Sequence, residues 1–151
     1  MKLISVLIFL LIAFTGFSQI QEIQTNIGDW KLYGQVKYVG PAKASLQYIE
    51  RGRDTSFLLM MYDQRPELKN YFSIHFSSRD NSLQELYNIL MSFFLPENIS
   101  NKNYIRMFRL GDEKVTVNHA TTLGSRGLMI KTDKGRIELR KEEIQRLFNR
   151  H

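Results

Sequence analysis

The chain has 151 residues, a net charge of +6 and no cysteine. That length supports a single domain with its own core, burying about two thirds of the surface that the unfolded chain exposes. The lack of cysteine excludes a disulfide framework, a thiolate metal site and a lipid-modified cysteine at a processing point.

The first segment reads MKLISVLIFLLIAFTGFSQ. Lys2 gives a positive start. Leu3 to Phe14 is apolar except for Ser5, and Gly16 and Ser18 form a small-x-small exit. A membrane-spanning helix needs roughly 20 apolar residues, and this run is shorter. A charged start, a short apolar core and a small-residue exit predict a secretory signal peptide over residues 1–18, cut after Ser18. Residues 19–29 are then a loose leader, and 30–151 a single globular domain. The expected mature form is exported, periplasmic or extracellular, and does not span a membrane. An exported chain without cysteine points to a bacterial host.

From Trp30 the pattern turns to period two, the mark of a half-buried strand. WKLYGQVKYV places Trp30, Leu32, Val36 and Tyr38 on one face, with Tyr33 in phase with the polar side. Gly40-Pro41 signals a turn. KASLQYIERG alternates again, and Gly52 suits a hairpin. SFLLMMYD is apolar on both faces, which predicts a central strand with packing on each side. YFSIHFSS puts Phe72, Ile74 and Phe76 inward and His75 outward.

SLQELYNILMSFFLP is the clearest helix. Leu83, Leu86, Leu90 and Phe93 recur at helical spacing, Ser82 and Glu85 match a capping box, and Pro96 sets the end. Its apolar stripe should cover one side of the sheet. YIRMFRL and EKVTVNHA flank Gly111-Asp112, and GLMIKTD and RIELR flank Lys134-Gly135. KEEIQRLFNRH is a short amphipathic helix with Ile144, Leu147 and Phe148 inward. The expected architecture is α+β: about eight short antiparallel strands with one long and one short packed helix. Each helix follows about four strands and the two share a local pattern. They read either as two four-strand-plus-helix halves or as two helices obeying the same amphipathic rule.

Motifs for catalysis are missing. There is no G-x-G-x-x-G, no G-K-[ST] and no H-E-x-x-H. His75, His119 and His151 lack ligand spacing, and Ser73, Ser77 and Ser78 near His75 form no triad. No cofactor or metal is expected. Charge is uneven: residues 19–100 carry 8 Lys and Arg against 9 Asp and Glu, whereas residues 101–151 carry 12 against 6. An exported basic surface seldom meets nucleic acid, so the expected partners are an anionic glycan, a lipid headgroup or an acidic protein. Arg136 and Arg140 in RIELR share one strand phase, while Arg106 and Arg109 point to opposite sides. Tyr33 and His75, as outward polar-face aromatics, complete the candidate binding surface. The expected function is a small binding or accessory protein without catalysis. The alternatives are a carrier of an apolar molecule between sheet and helix, using Met60, Met61 and Met91, or an enzyme with a dispersed site involving His75 or His119.

Overall fold

The computed structural model describes residues 29–122 and 124–150. The expected signal peptide and most of the leader lie outside them. Strands β1 (Lys31–Val36), β2 (Ala44–Arg51), β3 (Asp54–Tyr62) and β4 (Tyr71–Ser77) form one antiparallel sheet in chain order, sheet A. Helix α1 (Ser82–Met91) follows and runs into a 3-10 turn, Ser92–Phe94. Strands β5 (Ile105–Leu110), β6 (Glu113–Thr122), β7 (Ser125–Lys131) and β8 (Arg136–Leu139) form sheet B, also in chain order, and helix α2 (Lys141–Leu147) comes last. The fold is α+β with two four-stranded sheets, and four strands followed by a helix occur twice. Among the described residues no helix is long and apolar enough to cross a membrane.

Period-two patterning builds both sheets. In sheet A, Leu46, Phe57, Leu59, Met61, Phe72, Ile74 and Phe76 face inward and are buried. In sheet B, Val115, Val117, Leu128, Ile130, Ile137 and Leu139 do the same. These side chains join Leu86, Leu90 and Phe93 of the first helical segment and Ile144, Leu147 and Phe148 of the last in one hydrophobic cluster. β3 is interior, between β2 and β4, as its apolar run predicts. Its second face is only half-buried at Leu58, Met60 and Tyr62, so packing is unequal on the two sides.

The first strand departs from simple alternation. Leu32 pairs with Gln47 and Gly34 with Leu46, which leaves Tyr33 as an extra residue in a bulge. One added residue reverses the facing of everything before it. Leu32 is therefore 54% exposed while Val36 is fully buried, and Tyr38, beyond the strand end, is 58% exposed. The expected common face of Leu32, Val36 and Tyr38 does not form.

The helix start also differs. Asp80 and Asn81 adopt left-handed backbone, a conformation that short polar side chains tolerate, and Asn81 is the N-cap. Ser82 is already helical, and its hydroxyl donates to the Ser77 carbonyl rather than capping the helix. The capping box expected at Ser82 and Glu85 is absent. A related bond occurs at α2, where the Arg140 backbone N–H donates to Glu143 Oε2 at 2.8 Å.

Each helical segment reaches the sheet of the other half. α2 lies on β1 and β2. Its carbonyls at Arg146 and Leu147 come so close to Gly34 that a Cβ there would overlap them. The turn after α1 carries Phe93 onto sheet B, edge-on to Tyr104 at 4.8 Å and to His119 at 5.2 Å. A polar knot ties the sheets together. Asp63, after β3, accepts the Arg65 backbone N–H at 3.1 Å, Arg65 Nε at 2.7 Å and the β8 backbone N–H of Arg136 at 3.2 Å. Gln64 continues the junction: its N–H donates to the Arg136 carbonyl at 2.9 Å, and its Oε1 accepts the Glu138 N–H at 2.7 Å.

Candidate functional site

The outer face of sheet B gathers charge through strand pairing. Arg109 stands opposite Lys114, and Lys131 stands opposite both Thr116 and Arg136. Residues paired across antiparallel strands share a face, with Cβ atoms about 5 Å apart. Arg109, Lys114, Lys131 and Arg136 are all exposed on the side away from the core. Among the described residues Arg109 reaches only the Asp112 carbonyl, at 3.4 Å, and none of these cations forms an ion pair. Lys134, at the rim, differs in pairing with Glu113 at 2.6 Å. Like charges placed directly opposite each other disfavour the sheet, so fold stability does not account for the arrangement.

Two large apolar side chains flank these cations. Ile105 and Met107 are 54% and 67% exposed on β5. Met107 pairs with Thr116, which pairs in turn with Lys131. Arg136 closes this row and Met107 opens it. In the next row Ile105, Asn118, Met129 and Glu138 lie side by side. Glu138 is the acidic member of this face. It is half-buried and beside the junction with Gln64.

The side chains singled out in the sequence fall on separate surfaces. Tyr33, turned by the bulge, packs edge-on against Tyr48 and Phe57 at 6.1 and 6.2 Å, on the inner side of sheet A. His75 is exposed on the outer face of sheet A, with the Trp30 ring edge-on at 6.0 Å. Arg136 belongs to the basic face of sheet B. β8 ends at Leu139, so Arg140 is the N-cap of α2 rather than a strand neighbour of Arg136. Lys114 and Lys131 are the members that sequence reasoning missed. Their signal was available: each occupies the polar phase of its own strand, and hairpin pairing brings those phases together.

A second feature lies on the opposite face of the same hairpin. Beyond Leu128 the inward positions of β6 and β7 become His119, Thr121 and Arg126, with Thr121 paired to Arg126. The segment after Pro96 turns back over them. It is fixed by the Asn98 and Ile99 N–H groups on the Leu95 carbonyl, at 3.0 and 2.9 Å, and by Asn98 Nδ2 on the Ser92 carbonyl at 2.9 Å. His119 Nε2 lies 2.9 Å from the Asn98 carbonyl, so it is the protonated ring nitrogen and donates. Between turn and hairpin is a cleft of about 360 Å³ lined by Ile99, Ser100, Lys102, His119, Thr121 and Arg126, among others. Beside it, the Tyr104 hydroxyl is held below the usual phenol range by its hydrogen bonds with Ser92 and Arg106.

The residues of the alternative functions are dispersed. Met61 is fully buried in the core, Met60 lies on the outer face of sheet A, and Met91 borders a different cleft. His75 and His119 sit in different sheets. No family model, curated protein or solved structure matches the chain.

Proposed function

We propose that this chain is a small exported, non-catalytic binding protein that docks an anionic partner on the outer face of sheet B. The observation that carries this reading is the convergence of Arg109, Lys114, Lys131 and Arg136 on one exposed face without ion-pair partners among the described residues. Export rests on the signal-like stretch of residues 1–18. Ile105 and Met107 narrow the partner further. An anionic lipid headgroup layer offers negative charge next to apolar material, whereas a glycan offers charge alone. Lipid therefore suits the face best, with glycan and acidic protein as the other partner classes.

Co-sedimentation with vesicles tests this. Binding should be strong to phosphatidylglycerol vesicles and weak to phosphatidylcholine ones. It should decline with salt, because exposed charges are screened within about 8 Å at physiological ionic strength. Lys131→Glu with Arg136→Glu should abolish it, while Arg51→Glu with Arg53→Glu, on the β2–β3 turn, should not. Met107→Ser should weaken vesicle binding and leave retention on a heparin column unchanged. Equal binding by the two charge-reversed variants would reject the face as the docking site.

A further inference from the structure

We propose that the cleft between the 98–102 turn and the β6–β7 hairpin is a separate site for a small oxyanion: a phosphate or sulfate group, free or as a monoester. It lies on the inner side of the hairpin whose outer side carries the basic face, so it stands independently of the docking proposal. At about 360 Å³ the cleft is at the small end of ligand sites. Its lining holds two cations, Lys102 and Arg126, two hydroxyls, Ser100 and Thr121, and no carboxylate.

Lys102 and Arg126 have no hydrogen-bond or ion-pair partner among the described residues, although both project where chain segments converge. A guanidinium offers a planar fork of N–H donors that matches two oxygens of a phosphate or sulfate, and an ammonium adds a point charge. Hydroxyls donate to the remaining oxygens. The walls are fixed before any ligand arrives. Thr121 and Arg126 are set by strand pairing. The turn is held to the sheet by the His119 bond to Asn98. His119 is itself held edge-on to Phe93, which is fully buried. The backbone of the site is thus preformed, and the ordering that binding demands is confined to the Lys102 and Arg126 side chains. His119 is accordingly a positioning residue, and Lys102, Arg126, Ser100 and Thr121 are the ligand contacts.

The test is an amide-resolved NMR titration of the mature protein with inorganic phosphate, sulfate and a phosphate monoester, with chloride as the control ion. Saturable shifts should concentrate at Ser100, Lys102, Thr121 and Arg126 for the oxyanions and be missing for chloride. Arg126→Gln and Lys102→Gln should each weaken phosphate binding about tenfold, the effect of losing one hydrogen bond to a charged group. Both side chains are exposed, so these variants fold, and a circular dichroism spectrum verifies it. Arg51→Gln, exposed at the end of β2 and outside both sites, should leave the titration at these four residues unchanged. Phosphatidylglycerol vesicles separate the sources: if they protect these amides while free phosphate and the monoester do not, the ligand is a headgroup and the small-anion site is refuted. Shifts that match chloride, or that persist when Lys102→Gln and Arg126→Gln are combined in one chain, would also overturn the proposal.

Discussion

Asp63 and Glu143 are carboxylates only 2% exposed, and each is held by donors rather than left in the core alone. Hydrogen bonds from Arg65, aided by the backbone N–H groups of Arg65 and Arg136, outweigh burial at Asp63 and keep its carboxyl below the usual range. At Glu143 burial acts to raise the value. The Lys43 ammonium at 2.8 Å, the Arg140 N–H and the Tyr38 hydroxyl at 2.9 Å overcome it, and the net direction is again downward. A carboxyl whose folded pKa is depressed adds stability above its unfolded value, near pH 4, and loses it as pH falls through the folded value. Urea melts should therefore show stability dropping below about pH 4. Asp63→Asn should cost about 1.5–3 kcal/mol at pH 7, the range for hydrogen bonds to a charged group, and the gap to the parent should close in acid. A gap that stays constant with pH would show that the charge of Asp63 is not what matters. Neither anchor is legible in the sequence. Glu143 follows Glu142 at a helix start, where the helix dipole explains both, and its partners Lys43 and Tyr38 are 100 and 105 residues away.

At the scale of the element, the apolar rhythm was legible because every inward position of a strand or helix meets the same core. Among the described residues the eight strands and two α-helices lie close to where alternation and helical spacing put them. What the rhythm could not reveal is an inserted residue. The bulge at Tyr33 is a backbone event with no composition of its own, and it moves Tyr33 from the expected outer surface to the inner one. The start of α1 was misread for a related reason: Ser and Glu three apart match a capping box, yet Asn81 takes the cap by adopting left-handed backbone. Three substitutions separate these ideas. Leu90→Ala should cost about 2–5 kcal/mol, as for a buried leucine. Ser82→Ala should cost about 0.5–1.5 kcal/mol through the lost bond to the Ser77 carbonyl. Glu85→Ala should leave stability unchanged within error, whereas a working capping box would make it measurably destabilising. Chemical denaturation of the three variants distinguishes these outcomes.

At the scale of the whole molecule, the sequence told which face of each helix is apolar but not which sheet receives it. Periodicity is a property of one segment, and the partner is a property of the fold. The exchange of helical segments between the two halves was illegible for that reason. The candidate site was legible in part: Arg136 and the polar phase of each other cation could be read, but only strand pairing shows that those phases fall on one face. One shared core implies one cooperative transition. Fluorescence of Trp30, beside sheet A, and far-ultraviolet circular dichroism should therefore give coincident urea midpoints. Gly34→Ala should lower the midpoint for both probes together, with a stability loss of about 1–3 kcal/mol, because its Cβ would push α2 off β1 and overpack the junction. Separate midpoints would mean that the two sheets unfold independently.

The seat of α2 on β1 also sets an order of events during synthesis. The partner of Gly34 is encoded more than a hundred residues downstream, at Lys141–Leu147. On a ribosome, sheet A emerges first and waits with its apolar side unsealed until that helix leaves the exit tunnel. Closing so long a loop is entropically costly and slow. A nascent chain that stays open until nearly all of it has been made is in the unfolded state that a narrow translocation pore demands, so this late closure is compatible with the proposed export.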